Sequence, residues 1–301
     1  MDLKQIEYFV RVAELGSFTR ASVNLSIAQP ALSRQVRELE LDLRQHLLHR
    51  HGRGVTLTDA GKLMLEHGRG ILHQVARARE DLDRARGALT GHVSVGLPPS
   101  LARVLTVPLC RAFRQQLPEA TLSICEGLST QMQDWLQTGR LDVALLYNAS
   151  ASAELSIDPI AQEELFIVSP RPDTRAGIGD DKEVPMDLQE LARHPLIVPS
   201  RPNALRLLVE RRMADLGLNP RISMEIDGVP AILDLVSEGF GLAVLPRHAV
   251  FTASKPQRYL LHPVRPAILA AEVSIVTSAR RTTTLTQRRA MEIIQAETLK
   301  L

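Results

Sequence analysis

Cysteine is nearly missing from this 301-residue chain: Cys110 and Cys125 are the only two, too few for the disulfide framework of a small secreted domain. Cys110 falls in the helical pattern Val107–Phe113 and Cys125 in the strand-like run Leu122–Cys125, so buried, inert thiols are expected. A redox-switch pair is the sharper alternative, although no basic residue beside Cys125 favours its thiolate. Aromatic residues make up 3% of the chain and Trp135 is the single tryptophan, which disfavours a pocket built on ring stacking. No apolar run approaches the roughly 18 residues that a membrane span requires, and Met1-Asp2-Leu3-Lys4-Gln5 opens no signal peptide. The expectation is a cytoplasmic protein with no membrane partner. An excess of one charge is missing too: the formal net charge is +2. Residues 1–90 carry +3 of it and the remainder −1, so modest basicity is confined to one end.

Motifs for catalysis are also lacking. There is no Gly-x-x-x-x-Gly-Lys-Ser/Thr, His-Glu-x-x-His, Cys-x-x-Cys or Gly-x-Ser-x-Gly. Gly239-Phe240-Gly241 precedes a strand instead of following one, which excludes a dinucleotide turn. His194, His248 and His262 stand apart and read as packing or solvent residues. No enzymatic activity, cofactor or metal is expected.

What is present begins near the amino terminus. Ile6, Phe9, Val10 and Ala13 form one apolar stripe, so residues 3–14 predict a helix that Gly16 ends, with Ser17 or Thr19 capping the next. Pro30 fits the first turn of a further helix, because its fixed φ suits that position and its missing N–H is not needed there. Behind it Leu32, Val36, Leu39 and Leu43 recur at spacings of four, three and four. Gln29, Ser33, Arg34 and Arg37 lie off that stripe, where a helix anchored by its back would present donors to a DNA major groove. The plainer alternative is an amphipathic surface helix with solvated arginines. His49–Leu57 reads as a hairpin with its glycines at the tip, a basic wing on which Arg50 and Arg53 face the phosphate backbone or minor groove. Thr56-Leu57-Thr58-Asp59 then matches a capping box.

Helical pattern continues to about Leu89. Ile71, Val75, Ala78, Leu82, Ala85 and Leu89 keep four-three spacing, the seam of a coiled coil, flanked by charged residues. A dimerising helix is favoured over a core helix of a single domain.

Residues 3–65 resemble the winged helix-turn-helix of the LysR-type transcriptional regulators. The pattern stands here as Phe9, Ala13, Gly16-Ser17-Phe18, Ala21, Leu25, Gln29-Pro30-Ala31-Leu32-Ser33, Leu39-Glu40, Leu43, Leu47, Arg50 and Thr56-x-Thr58-x-Ala60-Gly61. Ser22, Ala28, Arg44 and Leu48 depart from it. The run Ile27-Ala28-Gln29-Pro30, with Arg53-Gly54-Val55-Thr56, is most similar to the nitrogen-assimilation-control branch. The resemblance implies binding to double-stranded promoter DNA, assembly into dimers and tetramers, contact with RNA polymerase, and a nucleoid-associated location.

From Gly91 the sequence alternates strand and helix: 93–97, 101–116, 121–125, 130–137 and 143–147, then a second unit from 164–169 to 242–245, and finally 259–264, 272–277 and a terminal helix from about Thr283. This order predicts an α/β clamp with a parallel sheet in two subdomains, resembling periplasmic binding proteins, which matches the effector domain that the family resemblance implies. The expected domains are 1–58 for DNA, 59–90 for the linker helix and 91–301 for the effector, the last divided into 91–161 with 267–301, and 162–266. Ligands of such sheets sit at strand carboxyl ends and helix N-termini. Ser100, expected as a helix N-cap, with Leu101, and Ser129 and Thr130 on the next helix, therefore face Arg201, Asn203 and Arg206 across a cleft. A small carboxylate or other anion is the expected effector. The alternatives are an effector-independent DNA-binding or architectural protein, and a cysteine-based redox regulator.

Overall fold

The computed structural model describes residues 1–51, 54–83, 89–171, 184–266 and 268–301. They form two compact units, Met1–Ala88 with Thr138–Arg140, and Leu89–Gln137 with Leu141–Leu301.

The first unit contains α1 (Leu3–Leu15), α2 (Phe18–Leu25), α3 (Gln29–Leu43), the hairpin β1 (Leu48–His51) and β2 (Gly54–Leu57), and α4 (Asp59–Asp83). Asp2 and Gln5 close a reciprocal capping box on α1, Gly16 ends it at φ 60°, and Ser17 caps α2. Phe9, Leu32, Val36 and Leu39 are fully buried where α1 packs on α3. The hairpin is tied to α1 through the Val55 N–H, which donates to the Gly16 carbonyl at 3.1 Å. A Cβ on Gly54 would lie 2.6 Å from that carbonyl oxygen, so only glycine allows the approach. The expected capping box at Thr56–Asp59 is corrected: Thr58 caps α4, its Oγ1 accepting from the Gly61 N–H at 2.9 Å. Gly52 and Arg53, the expected wing tip, lie outside the described residues.

In the second unit, β3 (Gly91–Leu97), α5 (Pro99–Gln116), β4 (Ala120–Glu126), α6 (Ser129–Thr138) and β5 (Val143–Tyr147) follow the expected alternation. Strand β3 pairs in parallel with both β4 and β5. The sheet is nevertheless mixed, because β11 (Ala270–Ser278) joins β5 antiparallel and β6 (Leu155–Pro170) joins β11 antiparallel. Strand β6 also begins nine residues earlier than the sequence suggested. Its residues 155–164 pair with β11, and residues 165–170 pair with β9 (Ala243–Pro246) and β10 (Tyr259–Pro263), so one strand serves both subdomains. The second subdomain adds α7 (Leu188–Leu191), β7 (Leu196–Val198) parallel to β8 (Ile222–Glu225), α8 (Ala204–Asp215), α9 (Val229–Ser237) and α10 (Arg247–Phe251), the last unexpected. Helix α11 (Leu285–Thr298) packs back on α5.

Cys110 corrects another expectation: its side of α5 is exposed, while Cys125 is half-buried against the Met132–Trp135 cluster. Among the described residues, no group of His, Cys, Asp and Glu is placed to hold a metal, and no helix is long and apolar enough to cross a membrane.

Candidate functional site

Helix α3 buries Leu32, Val36 and Leu39 and leaves Gln29, Pro30, Arg34 and Arg37 exposed, with Ser33 half-buried beside them. Its N-cap, Ala28, offers no side-chain acceptor. The first-turn N–H groups therefore have no cap, and the positive end of the helix dipole faces outward with the basic side chains. The Arg34 side chain is 73% exposed, and its Nε lies 3.6 Å from Glu38, a loose surface pair that costs little to leave.

Arg50 stands on β1 of the expected wing hairpin, with partners on α2 and α3. Its guanidinium lies 4.7 Å from the centre of the Phe18 ring, donates to the Ser33 Oγ at 3.0 Å, and sits 3.8 Å from the Glu40 carboxylate. Glu40, which composition and spacing did not mark as functional, is buried and accepts the Leu47 and Leu48 N–H groups at 2.8 and 3.2 Å. A single carboxylate thus ties the start of the hairpin to α3 and lies beside Arg50, which reaches Ser33.

Of the expected seam, Ile71 packs on the first unit's own core, Val75 is half-buried and Ala78 exposed. Nothing is described for the Leu82 side chain, and Ala85 lies outside the described residues. Leu89 stands beyond α4, in the coil before β3, and so is not on the described helix.

In the second unit a cavity of about 240 Å³ opens between the start of α5, the start of α6 and the end of β5 on one side, and β7, β9 and the start of α8 on the other. Ser100, Ser129, Tyr147, Asn203 and Arg206 line it, among walls that are mostly apolar. Leu101 is instead buried in the core and Thr130 is exposed, and neither is in the lining. Ser100 is not an N-cap either: Pro98 holds that position and Ser100 lies inside the first turn of α5.

The expected cation is already paired. Arg206 is 6% exposed, and its guanidinium donates to Glu210 at 2.8 Å, to the Pro199 carbonyl at 2.9 Å and to Glu225 at 3.2 Å. The hydrogen bond to Glu225 holds its protonated form most strongly, against desolvation and with help from Glu210. Arg201 also pairs with Glu210, at 2.6 Å. Burial alone would raise the Glu210 carboxyl, but hydrogen bonds and charge from Arg206 and Arg201 outweigh it and hold the group below the ordinary value. Asn203 caps α8, its carbonyl oxygen accepting from the Leu205 and Arg206 N–H groups.

Beneath the cavity a ring of hydrogen bonds links both subdomains. The Ser100 and Tyr147 hydroxyls are 3.3 Å apart, Tyr147 donates to Glu163, Glu163 pairs with His248 at 2.5 Å, and His248 Nε2 lies 3.1 Å from the Ser100 carbonyl. Desolvation, and then the Glu163 charge, push the Tyr147 phenol well above its usual range. His248, expected as a packing residue, is thus part of a polar network.

A winged helix-turn-helix followed by a two-lobed α/β body with a cleft defines a class of DNA-binding regulators. Residues 3–62 match the bacterial regulatory helix-turn-helix protein, lysR family, and residues 86–298 match the LysR substrate binding domain. The chain belongs to the LysR family of transcriptional regulators, which are not enzymes. Among its relatives is the nitrogen assimilation regulatory protein nac of Escherichia coli (strain K12), 36% identical over 83% of this chain and 79% of that protein. The nac protein of Klebsiella aerogenes is 34% identical over the same shares. In fold the chain is similar to CbnR, a LysR family transcriptional regulator, with a TM-score of 0.73 at 24% identity, covering 99% of each chain.

Proposed function

We propose that this regulator reads promoter DNA with α3, using Gln29, Pro30, Ser33, Arg34 and Arg37 in the major groove and Arg53 on the backbone or minor groove, and that a small effector in the cleft modulates transcription. The exposed polar face of α3, backed by a fully buried apolar stripe, carries the reading. A full-length CbnR complexed with its target DNA shares the fold, at a TM-score of 0.72. Pairing through α4, then between effector domains, builds the dimer and the tetramer, and the effector state alters contact with RNA polymerase. Arg34→Ala tests the DNA face: one good base contact is worth about 1–3 kcal/mol, so affinity for the selected site should fall roughly fivefold or more and specificity should relax. Unchanged affinity and specificity would remove α3 as the reader.

The effector we propose is a small carboxylate with a short apolar body. The first turns of α5 and α6 both open on the cavity and favour an anion. The surrounding apolar walls suit a carbon skeleton. Arg206 lies behind this site as part of its frame. A thermal-shift screen of carboxylates, amino acids, nucleotides and inorganic anions tests the proposal, since a ligand at a hundredfold excess over Kd stabilises by about 2.7 kcal/mol. Hits that are all neutral would overturn the anion, and a silent screen would favour an effector-independent regulator.

A further inference from the structure

We propose that Arg50 is a specificity-determining residue that acts through Ser33: it fixes the Ser33 hydroxyl as a hydrogen-bond donor towards DNA and does not itself neutralise a phosphate. The inference rests on the reading of α3 as the recognition helix. Ser33 stands on the DNA-facing side of α3, and the Arg50 guanidinium reaches it from β1, donating to its Oγ at 3.0 Å. A serine hydroxyl has one proton to give and two lone pairs to receive. One lone pair is filled by the guanidinium N–H, and among the described residues no protein acceptor takes the proton.

The positive charge beside Oγ polarises the O–H outward and repels any donor that approaches. A serine so held favours base edges that accept, such as guanine O6 and N7 or thymine O4, and disfavours the amino group of cytosine. Arg50 is held at this station from two further sides. The Phe18 ring lies 4.7 Å from its guanidinium carbon, and Glu40 lies 3.8 Å from Nη2. Glu40 is itself fixed by the backbone N–H groups of Leu47 and Leu48 at the start of β1, so the wing and the recognition helix share one anchor. A guanidinium engaged on three sides is poorly placed to turn to a phosphate, although its side chain remains 45% exposed.

The two roles separate by salt dependence and by base preference. Double-stranded oligonucleotides with a randomised core, selected by the wild-type protein, give a preference at every position of the site. Ser33→Ala identifies the position that Ser33 reads. Arg50→Met, which keeps an apolar stem against Phe18, should lose discrimination against cytosine at that same position by about three- to tenfold, the worth of one net hydrogen bond. The slope of log affinity against log salt should stay as in the wild type. A slope shallower by about 0.9 would show that Arg50 neutralises a phosphate, and the proposal would fall. An even loss across all positions would reduce Arg50 to a structural brace and overturn it equally. Should Arg50→Met not fold, Glu40→Gln keeps the β1 acceptor, loosens the guanidinium, and should weaken the same position alone. Arg34→Ala in the same selection keeps the failures apart. If Arg34 shifts a preference and Ser33 shifts none, this inference fails while α3 stands; if both are silent, the recognition helix is misassigned.

Discussion

Arg206→Ala is the sharpest test of how the cleft is built. If the guanidinium is structural, its loss removes stability and leaves ligand binding in place. Three contacts disappear, to Glu210, Glu225 and the Pro199 carbonyl. Removing one partner of a buried ion pair typically costs about 3–5 kcal/mol. Two features of this site reduce the figure. The Glu225 side chain is 49% exposed, so that contact is worth a surface pair at most. Glu210 keeps Arg201 at 2.6 Å. The remaining cost, a desolvated Glu210 and an unmet carbonyl, comes to about 2–3 kcal/mol, or a drop in Tm of roughly 4–12 °C for a unit of this size. Full-length protein followed by circular dichroism through thermal and urea unfolding would read it. The acid limb gives an independent check. Because the folded Glu210 carboxyl lies below its unfolded value, it contributes stability that is present above about pH 4.3 and lost as pH falls through the lower folded value. The gap between wild type and Arg206→Ala should therefore narrow below about pH 4. A variant that melts with the wild type, yet loses all stabilisation by a carboxylate hit, would refute this reasoning and return Arg206 to the ligand.

Other predictions are as direct. Gly61→Ala places a Cβ 2.0 Å from the Leu47 backbone carbonyl, which cannot yield without moving β1 from α4. It should destabilise the first unit by at least about 2 kcal/mol and weaken DNA binding with it, as urea unfolding and DNA titration would show. Val75→Asp tests α4 as the pairing helix: sedimentation velocity should show loss of the dimer, and intact dimers with unchanged DNA affinity would remove the seam. Tyr147→Phe leaves a Glu163 carboxylate oxygen without its phenol donor and should cost about 1–3 kcal/mol at neutral pH. Since the folded phenol is raised, its contribution is present below about pH 10 and lost as pH climbs towards the folded value, so the variant should also flatten the alkaline limb of the stability curve.

Which features could be read from sequence follows from the range of the forces that fix them. Helices α1 to α3 are set by spacing and caps within four residues, and Asp2, Gly16, Ser17 and Pro30 each act locally. Strand β6 could be read only in its later half. Its first half carries Pro159, Asp158 and Glu163, which argue against a strand, and it is one only because β11 lies along its edge. The pairing accommodates Pro159 at a break in register, where Ala161 faces Val273 but Pro159 faces Ser274, with Ile160 as the extra residue. Helix α10 is five residues long, too short for any period to emerge.

The two candidate sites differ for the same reason. The exposed Gln29, Pro30, Arg34 and Arg37 all belong to α3, so the buried stripe of Leu32, Val36 and Leu39 is enough to show which residues face outward. The partners of Arg50 could not be read in this way, because Phe18, Ser33 and Glu40 come from two helices that the hairpin approaches only in the folded unit. In the cleft, position was legible but charge was not. Helix starts at Ser100, Ser129 and Asn203 do converge on the cavity. Whether an arginine there is available to a ligand depends on which carboxylates reach it first. Glu210, one turn along α8, was a visible i, i+4 partner, while Glu225 arrives from β8. Once both have reached Arg206, whatever anion selectivity the cleft has must come from helix ends and hydroxyls, whose pull on a charge is weaker and shorter in range than a bare guanidinium. A cleft of that kind discriminates by the shape of its apolar walls more than by charge, so close isosteres of a true effector should compete with it, while inorganic anions of the same charge should not.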